Sequence, residues 1–218
     1  MKLYSYFRSS ASYRVRIALN LKALSYDVVP VHLLKDGGQQ FSPEYRNLSP
    51  DALVPTLIDD SAGNAPVLTQ SLAIIEYLDE AYAGPRLLPT DAVDRAYVRS
   101  IALSIACEIH PLNNLRVLRY LVRTLKVSED DKNAWYRHWC EQGLAAVEAT
   151  LAKDSRVGVF CYGDSPTLAD CCLVPQVANA NRLNCDLSAM PTVMRINEAC
   201  LALDAFANAA PARQPDAE

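Results

Sequence analysis

No cysteine occurs before Cys107, so the first hundred residues cannot perform thiol chemistry with their own atoms. The seven that follow, at 107, 140, 161, 171, 172, 185 and 200, form no C-x-x-C pair and no Cys/His spacing suited to zinc, and no metal site is expected. An odd set of this kind reads as reduced thiols, used as small buried hydrophobes. Long apolar runs are missing too, and nothing approaches the roughly 18–20 residues that cross a bilayer. Behind Met1-Lys2-Leu3 there is no apolar stretch of the roughly 7–15 residues that a secretory signal needs, so the cytoplasm is the expected compartment and a membrane is not an expected partner. Basic excess is absent: a net charge of -4 and a pI near 5.4 argue against sequence-independent binding to nucleic acid, which depends on neutralising phosphates. Internal repeats and low-complexity tracts are also lacking.

What is present is an ordinary globular balance, 218 residues that are 50% hydrophobic and 21% charged, enough for two domains with adequate cores. Residues 3–6 and 26–31 are β-prone and flank a helical pattern over 13–21. After a polar loop containing Gly37-Gly38, residues 54–58 and 66–68 enclose the turn-rich stretch 59–64 and predict a hairpin. A helix follows from Ser71 and is stopped by Gly84-Pro85. The order βαβ, loop, ββα predicts an α/β thioredoxin-like N-terminal domain over residues 1–84. Beyond Pro89 the pattern is helical, with segments at 91–108, 115–125, 131–151, 167–181 and 191–203, so an all-α C-terminal domain is expected over 90–210. The tail around Pro211 to Pro215 reads as irregular.

Four segments carry chemistry. In Phe7-Arg8-Ser9-Ser10-Ala11-Ser12-Tyr13 a cluster of hydroxyls lies between a strand end and a helix start. Unpaired N–H groups and a partial positive charge at such an end stabilise an anion, although the same serines also suit plain helix caps. A hydroxyl cannot exchange disulfides, but it can hydrogen-bond a bound sulfur and favour the thiolate. In Leu53-Val54-Pro55-Thr56 a proline opens a strand. Held cis, it would turn the Val54 peptide groups outward for a peptide ligand to pair with; held trans, it is an ordinary strand entry. Gln70-Ser71 at the next helix start suits a carboxylate, or a simple cap. Thr167-Leu168-Ala169-Asp170 reads as a structural capping box.

These segments resemble those of zeta-class glutathione transferases, the maleylacetoacetate isomerases. The signature Ser-Ser-Cys-x-x-Arg-Val-Arg-Ile-Ala-Leu is matched from Ser9 to Leu19, except that Ala11 stands where the family has cysteine. The likeness extends through Gln39-Gln40-Phe41, Val54-Pro55-Thr56-Leu57, Gln70 to Leu78, Thr167 to Asp170 and Arg213-Gln214-Pro215-Asp216. It implies a glutathione transferase fold, glutathione as cofactor and a homodimer. Ser9 would hydrogen-bond the glutathione sulfur, with Ser10 the competing candidate, beside Ala11 and Arg8. Gln40, Val54, Pro55, Gln70 and Ser71 would hold the tripeptide, and His110, Asn114, Leu115 and Arg116 align with a site-lining segment. Arg8 and Arg182 correspond to positions that bind acidic groups, here those of a dicarboxylic enone. The stretch from Cys107 to Arg116 looks closest to bacterial maleylpyruvate isomerases of the same class. A non-catalytic binding module on this fold is the reading of a different kind. Ala11 removes the thiol that resolves a mixed disulfide in dehalogenating relatives, and so disfavours that chemistry more than isomerisation.

Overall fold

The structure, a computed structural model, describes residues 1–218. The chain divides into two compact units, Met1–Leu88 with Ala202–Glu218, and Pro89–Leu201. In the first unit the strands are β1 (Lys2–Ser5), β2 (Asp27–Pro30), β3 (Thr56–Ile58) and β4 (Val67–Thr69), ordered β2-β1-β3-β4 in one sheet. β1 runs parallel to β2 and antiparallel to β3, and β3 and β4 form the expected hairpin. Leu3 and Leu57 are partners in register and both fully buried. Helices α1 (Ser10–Leu21) and α3 (Ser71–Ala81) pack on one another and bury Val15, Ile17, Leu19, Ile74, Ile75 and Leu78. Removing such side chains from water contributes roughly 1.5–3 kcal/mol each. The chain leaving α3 is tied back by Asp79, which accepts from Leu87 N (2.8 Å) and Leu88 N (3.3 Å) and pairs with buried Lys22 (3.3 Å).

The sequence reading omitted helix α2 (Pro43–Leu48), although its signals are local: Ser42 caps it by accepting from Tyr45 N (3.2 Å), and Pro43 takes the first helical position. The tail is the larger correction. Residues 202–210, expected in the helical domain, belong with the tail to the first unit. Helix α9 (Asp204–Ala207) follows the last expected helical segment, and a 3₁₀ turn at Pro211–Arg213 stands where irregular chain was expected. The cause is long-range: α1 side chains find their hydrogen-bond acceptors there, buried Tyr13 on Phe206 O (3.3 Å), buried Arg16 on Ala209 O (2.9 Å) and Asn20 on Ala205 O (2.9 Å).

The second unit holds α4 (Ala92–Leu103), α5 (Leu115–Arg123), α6 (Glu129–Leu151), α7 (Leu168–Arg182) and α8 (Pro191–Leu201). None is long and apolar enough to cross a membrane. The expected single helix over 91–108 becomes α4 followed by a π-helical turn at Ser104–Ile109. Gly143 of α6 permits this, because a Cβ there would come 2.4 Å from Ile109 Cγ1. The capping box on α7 is present: Asp170 is buried, Oδ2 accepts from Thr167 N (2.7 Å) and Oγ1 (2.8 Å), and Oδ1 accepts from Cys161 N (2.9 Å). Of the cysteines expected to be buried, five are; Cys107 is exposed and Cys185 half-buried. Burial pushes the Cys140 thiol up to about 12 and the Cys161 and Cys171 thiols well up, so these are inert.

Candidate functional site

The β1–α1 turn presents the hydroxyl cluster. Ser9 N–H donates to Tyr6 O (2.9 Å), closing the turn, and Ser9 is the N-cap of α1, its Oγ accepting from Ser12 N (3.2 Å). The capping role is therefore real, but it occupies only an acceptor lone pair. A hydroxyl has one proton to donate as well, so Ser9 can cap the helix and still donate to a sulfur. Ser9 is half-buried, and Ser10, first in the helix, is buried. The Ala11 side chain offers no donor. Arg8 is exposed, with its guanidinium over the Phe7 ring at 4.9 Å, which restrains a long side chain that would otherwise be free.

Val54-Pro55 is cis, the option the sequence left open. Sheet pairing of β3 starts only at Thr56, so the Val54 peptide groups lie outside the ladder. Val54 packs in one cluster with Tyr6 and Phe7, which places it beside the serine turn. Helix α2 fixes its orientation: Leu53 O accepts from Tyr45 OH (2.5 Å) and Ser49 Oγ (3.1 Å), and Tyr45 OH also meets Thr56 Oγ1 (3.0 Å). Gln40 is buried, its Nε2 reaching Leu33 O (3.5 Å), while Oε1 is buried without a partner. Gly38, at φ 115°, makes room for it, since a Cβ there would fall 2.7 Å from Gln40 Nε2.

At the α3 start, Gln70 holds the cap position at φ 68° without a side-chain cap bond. A non-glycine residue in such a conformation costs roughly 1–3 kcal/mol, a cost commonly met where a site requires it. Ser71 is not the helix cap that the sequence allowed; its Oγ accepts from Arg14 Nη1 (3.2 Å), which joins the two helix starts. Sequence reasoning missed Arg14. Its signal was a pair of arginines, 14 and 16, inside an apolar helical run, where a charge stays buried only if it has work to do.

In the second unit, His110 follows the π-helical turn, and its Nε2 lies 3.3 Å from Asn114 Nδ2. Asn114 caps α5 by accepting from Arg116 N (3.1 Å), so Leu115 and Arg116 form the helix start, with Arg116 exposed. Arg182 is the exposed last residue of α7, and its positive charge opposes the burial that pushes the Tyr136 phenol up; the Tyr136 backbone carbonyl accepts from Asn113 Nδ2 (3.1 Å). Tyr136, also missed by sequence reasoning, is tied through Asn113 to the 110–116 segment. No group of His, Cys, Asp and Glu side chains has the arrangement of a metal site. A cleft of about 750 Å³ in the first unit, lined by Tyr4, Val31, Phe41, Tyr45 and Leu48 among others, contains none of the site residues expected from sequence.

Residues 3–86 match the family model for the glutathione S-transferase N-terminal domain. The maleylacetoacetate isomerase of Rattus norvegicus is 49% identical over 214 residues, covering 98% of this chain and 94% of that protein. The structure of a holo maleylpyruvate isomerase, a bacterial zeta-class glutathione S-transferase, superposes with a TM-score of 0.94 at 47% identity and full coverage of both chains. A maleylacetoacetate isomerase from Methylobacterium extorquens AM1, solved with bound malonate and GSH, gives 0.95 at 41%, again with full coverage. With this likeness running the length of the chain, the protein belongs to the maleylacetoacetate isomerase family of zeta-class glutathione transferases.

Proposed function

We propose that this chain is a glutathione-dependent cis-trans isomerase that converts maleylacetoacetate to fumarylacetoacetate. The observation that carries the reading is a hydroxyl-capped helix start in a unit with no cysteine, where Ser9, with Ser10 the competing candidate, is the group beside the thiol. The residues fit the tripeptide: a buried, unpartnered Gln40 Oε1, peptide groups of Val54 outside the sheet, and a second helix start at Gln70-Ser71.

Bound glutathione supplies a thiolate that adds reversibly to the cis double bond, makes it single so that it rotates, and leaves unchanged. Everything else is work for the chain. Ser9 donates to the sulfur and the α1 N-terminus adds partial positive charge, so the thiol ionises at neutral pH instead of near 8.5. Val54 pairs with the peptide backbone, while Gln70 and Ser71 hold the γ-glutamyl carboxylate. Arg8 and Arg182 supply the forked donors that orient a dicarboxylic substrate. Arg8 and His110 are the donors available to the oxygen on which charge develops. Asn114, Leu115 and Arg116 line the site on the cofactor side together with His110. Without a thiol at residue 11, reductive removal of halogens through a mixed disulfide is not proposed. The working form is a cytoplasmic homodimer.

The test is glutathione-dependent isomerisation of maleylacetoacetate and maleylpyruvate by wild type and Ser9→Ala. Turnover that requires glutathione, favours the longer substrate and collapses in the variant supports the reading. A strong preference for maleylpyruvate would replace the substrate, and absence of turnover at saturating glutathione would leave a binding module.

A further inference from the structure

Among the segments shared with the family, Arg213-Gln214-Pro215-Asp216 has no part in the reaction as described. The first unit gives it one. Asp216 Oδ2 accepts from Phe7 N (3.0 Å), and Arg16 Nη2 donates to Phe7 O (3.1 Å). Both peptide groups of the residue immediately before Arg8 and Ser9 are thus held by charged side chains, neither of which belongs to the turn. Arg16 is fully buried and also donates to Ser5 Oγ (3.1 Å) and Ala209 O (2.9 Å), so one guanidinium grips strand end, turn and tail together. Gln214, buried, fastens the tail by donating to Asn208 O and Ala210 O, both at 3.0 Å. The attraction of Asp216 opposes the desolvation that brings the Arg16 pKa down to about 10.

We infer that Asp216 and Arg16 are positioning residues for the reaction: together they clamp the Phe7 peptide and so set the direction in which Arg8 and the Ser9 hydroxyl are presented. A carboxylate on an N–H and a guanidinium on a C=O are charge-assisted bonds, about twice as strong as neutral ones. The turn needs such a hold because the Phe7 and Arg8 peptide groups take part in no backbone–backbone hydrogen bond, whereas Ser9 is fixed by Tyr6 O, Ser12 N and Tyr13 N. Misplacing a catalytic group by about 1 Å from a distance can cost on the order of 100-fold in rate. The clamp is separate from the site itself, since Arg16 is fully buried and Asp216 reaches the turn from the tail.

This inference rests on the glutathione reading, and the experiment keeps the two apart. Ionisation of enzyme-bound glutathione is followed by thiolate absorbance against pH for wild type, Asp216→Ala, Asp216→Asn and Ser9→Ala, with kcat and KM for each and thermal melts. Asp216→Ala is expected to shift the bound-thiol midpoint up by about one unit and lower kcat about tenfold. The melt should fall only a few degrees. Asp216→Asn retains an oxygen acceptor for Phe7 N and should recover most of both. Should Asp216→Ala melt below the assay temperature, Asp216→Glu, one methylene too long for the same bond, is expected to shift both quantities in the same direction. A folded Asp216 variant whose titration and kcat stay within twofold of wild type, beside a Ser9→Ala that shifts, overturns the clamp alone. If Ser9→Ala is also unchanged, the glutathione site falls with it.

Discussion

The two units divide polar chemistry in opposite ways. All seven cysteines lie between Pro89 and Leu201, five of them buried, while the unit that carries the serine turn has none. In the helical unit, polar side chains in the interior serve packing: Asp170 satisfies Cys161 and Thr167, and Glu148 accepts from Thr192 N (3.1 Å) and Val193 N (2.8 Å). In the first unit, polar groups retain capacity, as Ser9 at the α1 start retains its proton and Gln40 a buried oxygen. The lesson is that a thiol has to come from outside, because the thiols this chain owns are mostly locked away from the unit built to ionise one.

Asp170→Ala puts the comparison under the greatest load. It leaves Cys161 N and Thr167 N buried and unpaired, so a loss of about 3 kcal/mol is expected in denaturant unfolding, with activity per folded molecule kept. At Ser9 the opposite is expected. Ser9→Ala should lower kcat/KM about 100-fold, or about 2.7 kcal/mol, and cost about 1 kcal/mol of stability through the lost cap. Ser9→Asp separates the two roles: a carboxylate caps the helix but repels a thiolate, so a melt close to wild type should accompany lost turnover. Equal losses of stability and activity in that variant would erase the contrast.

A smaller effect tests whether polar networks in the first unit can also be purely structural. Asp59 is buried at the end of β3; burial by itself would raise its pKa, but hydrogen bonds from Ser61, Tyr82 and Tyr77 prevail and bring it down to about 2. A depressed carboxylate pKa stabilises the fold above its unfolded value of about 3.9, and that contribution is lost as pH falls towards 2. Asp59→Asn should therefore cost about 2 kcal/mol at neutral pH, and the difference from wild type should shrink in acid melts. Smallest of all, brief alkylation of the native protein should label Cys107 first, and Cys107→Ser should abolish that fast phase. Rapid labelling of Cys140 or Cys161 would contradict the picture of locked thiols.

Much of this was legible in the sequence because the signals were local. The capping box at Thr167 is contained in four residues, and the β3–β4 hairpin is announced by Asp59 to Asn64. The serine turn could be placed because a strand pattern stops and a helix pattern begins on either side of it. The π-helical turn was hidden, because it depends on Gly143 making space about 35 residues away in sequence for Ile109. The tail was hidden for the same reason: nothing near Asp216 says that Phe7 N–H is its partner. For Ser71 the local reading was reasonable and incomplete, since its hydroxyl is claimed by Arg14 from another helix.

The discontinuity of the first unit bears on how the protein is made. The helical unit is one unbroken stretch, Pro89–Leu201, and can assemble as soon as it leaves the ribosome. The earlier-synthesised sheet waits with Arg16 Nε–H lacking its acceptor until Ala209 arrives, so the part that emerges first is completed last.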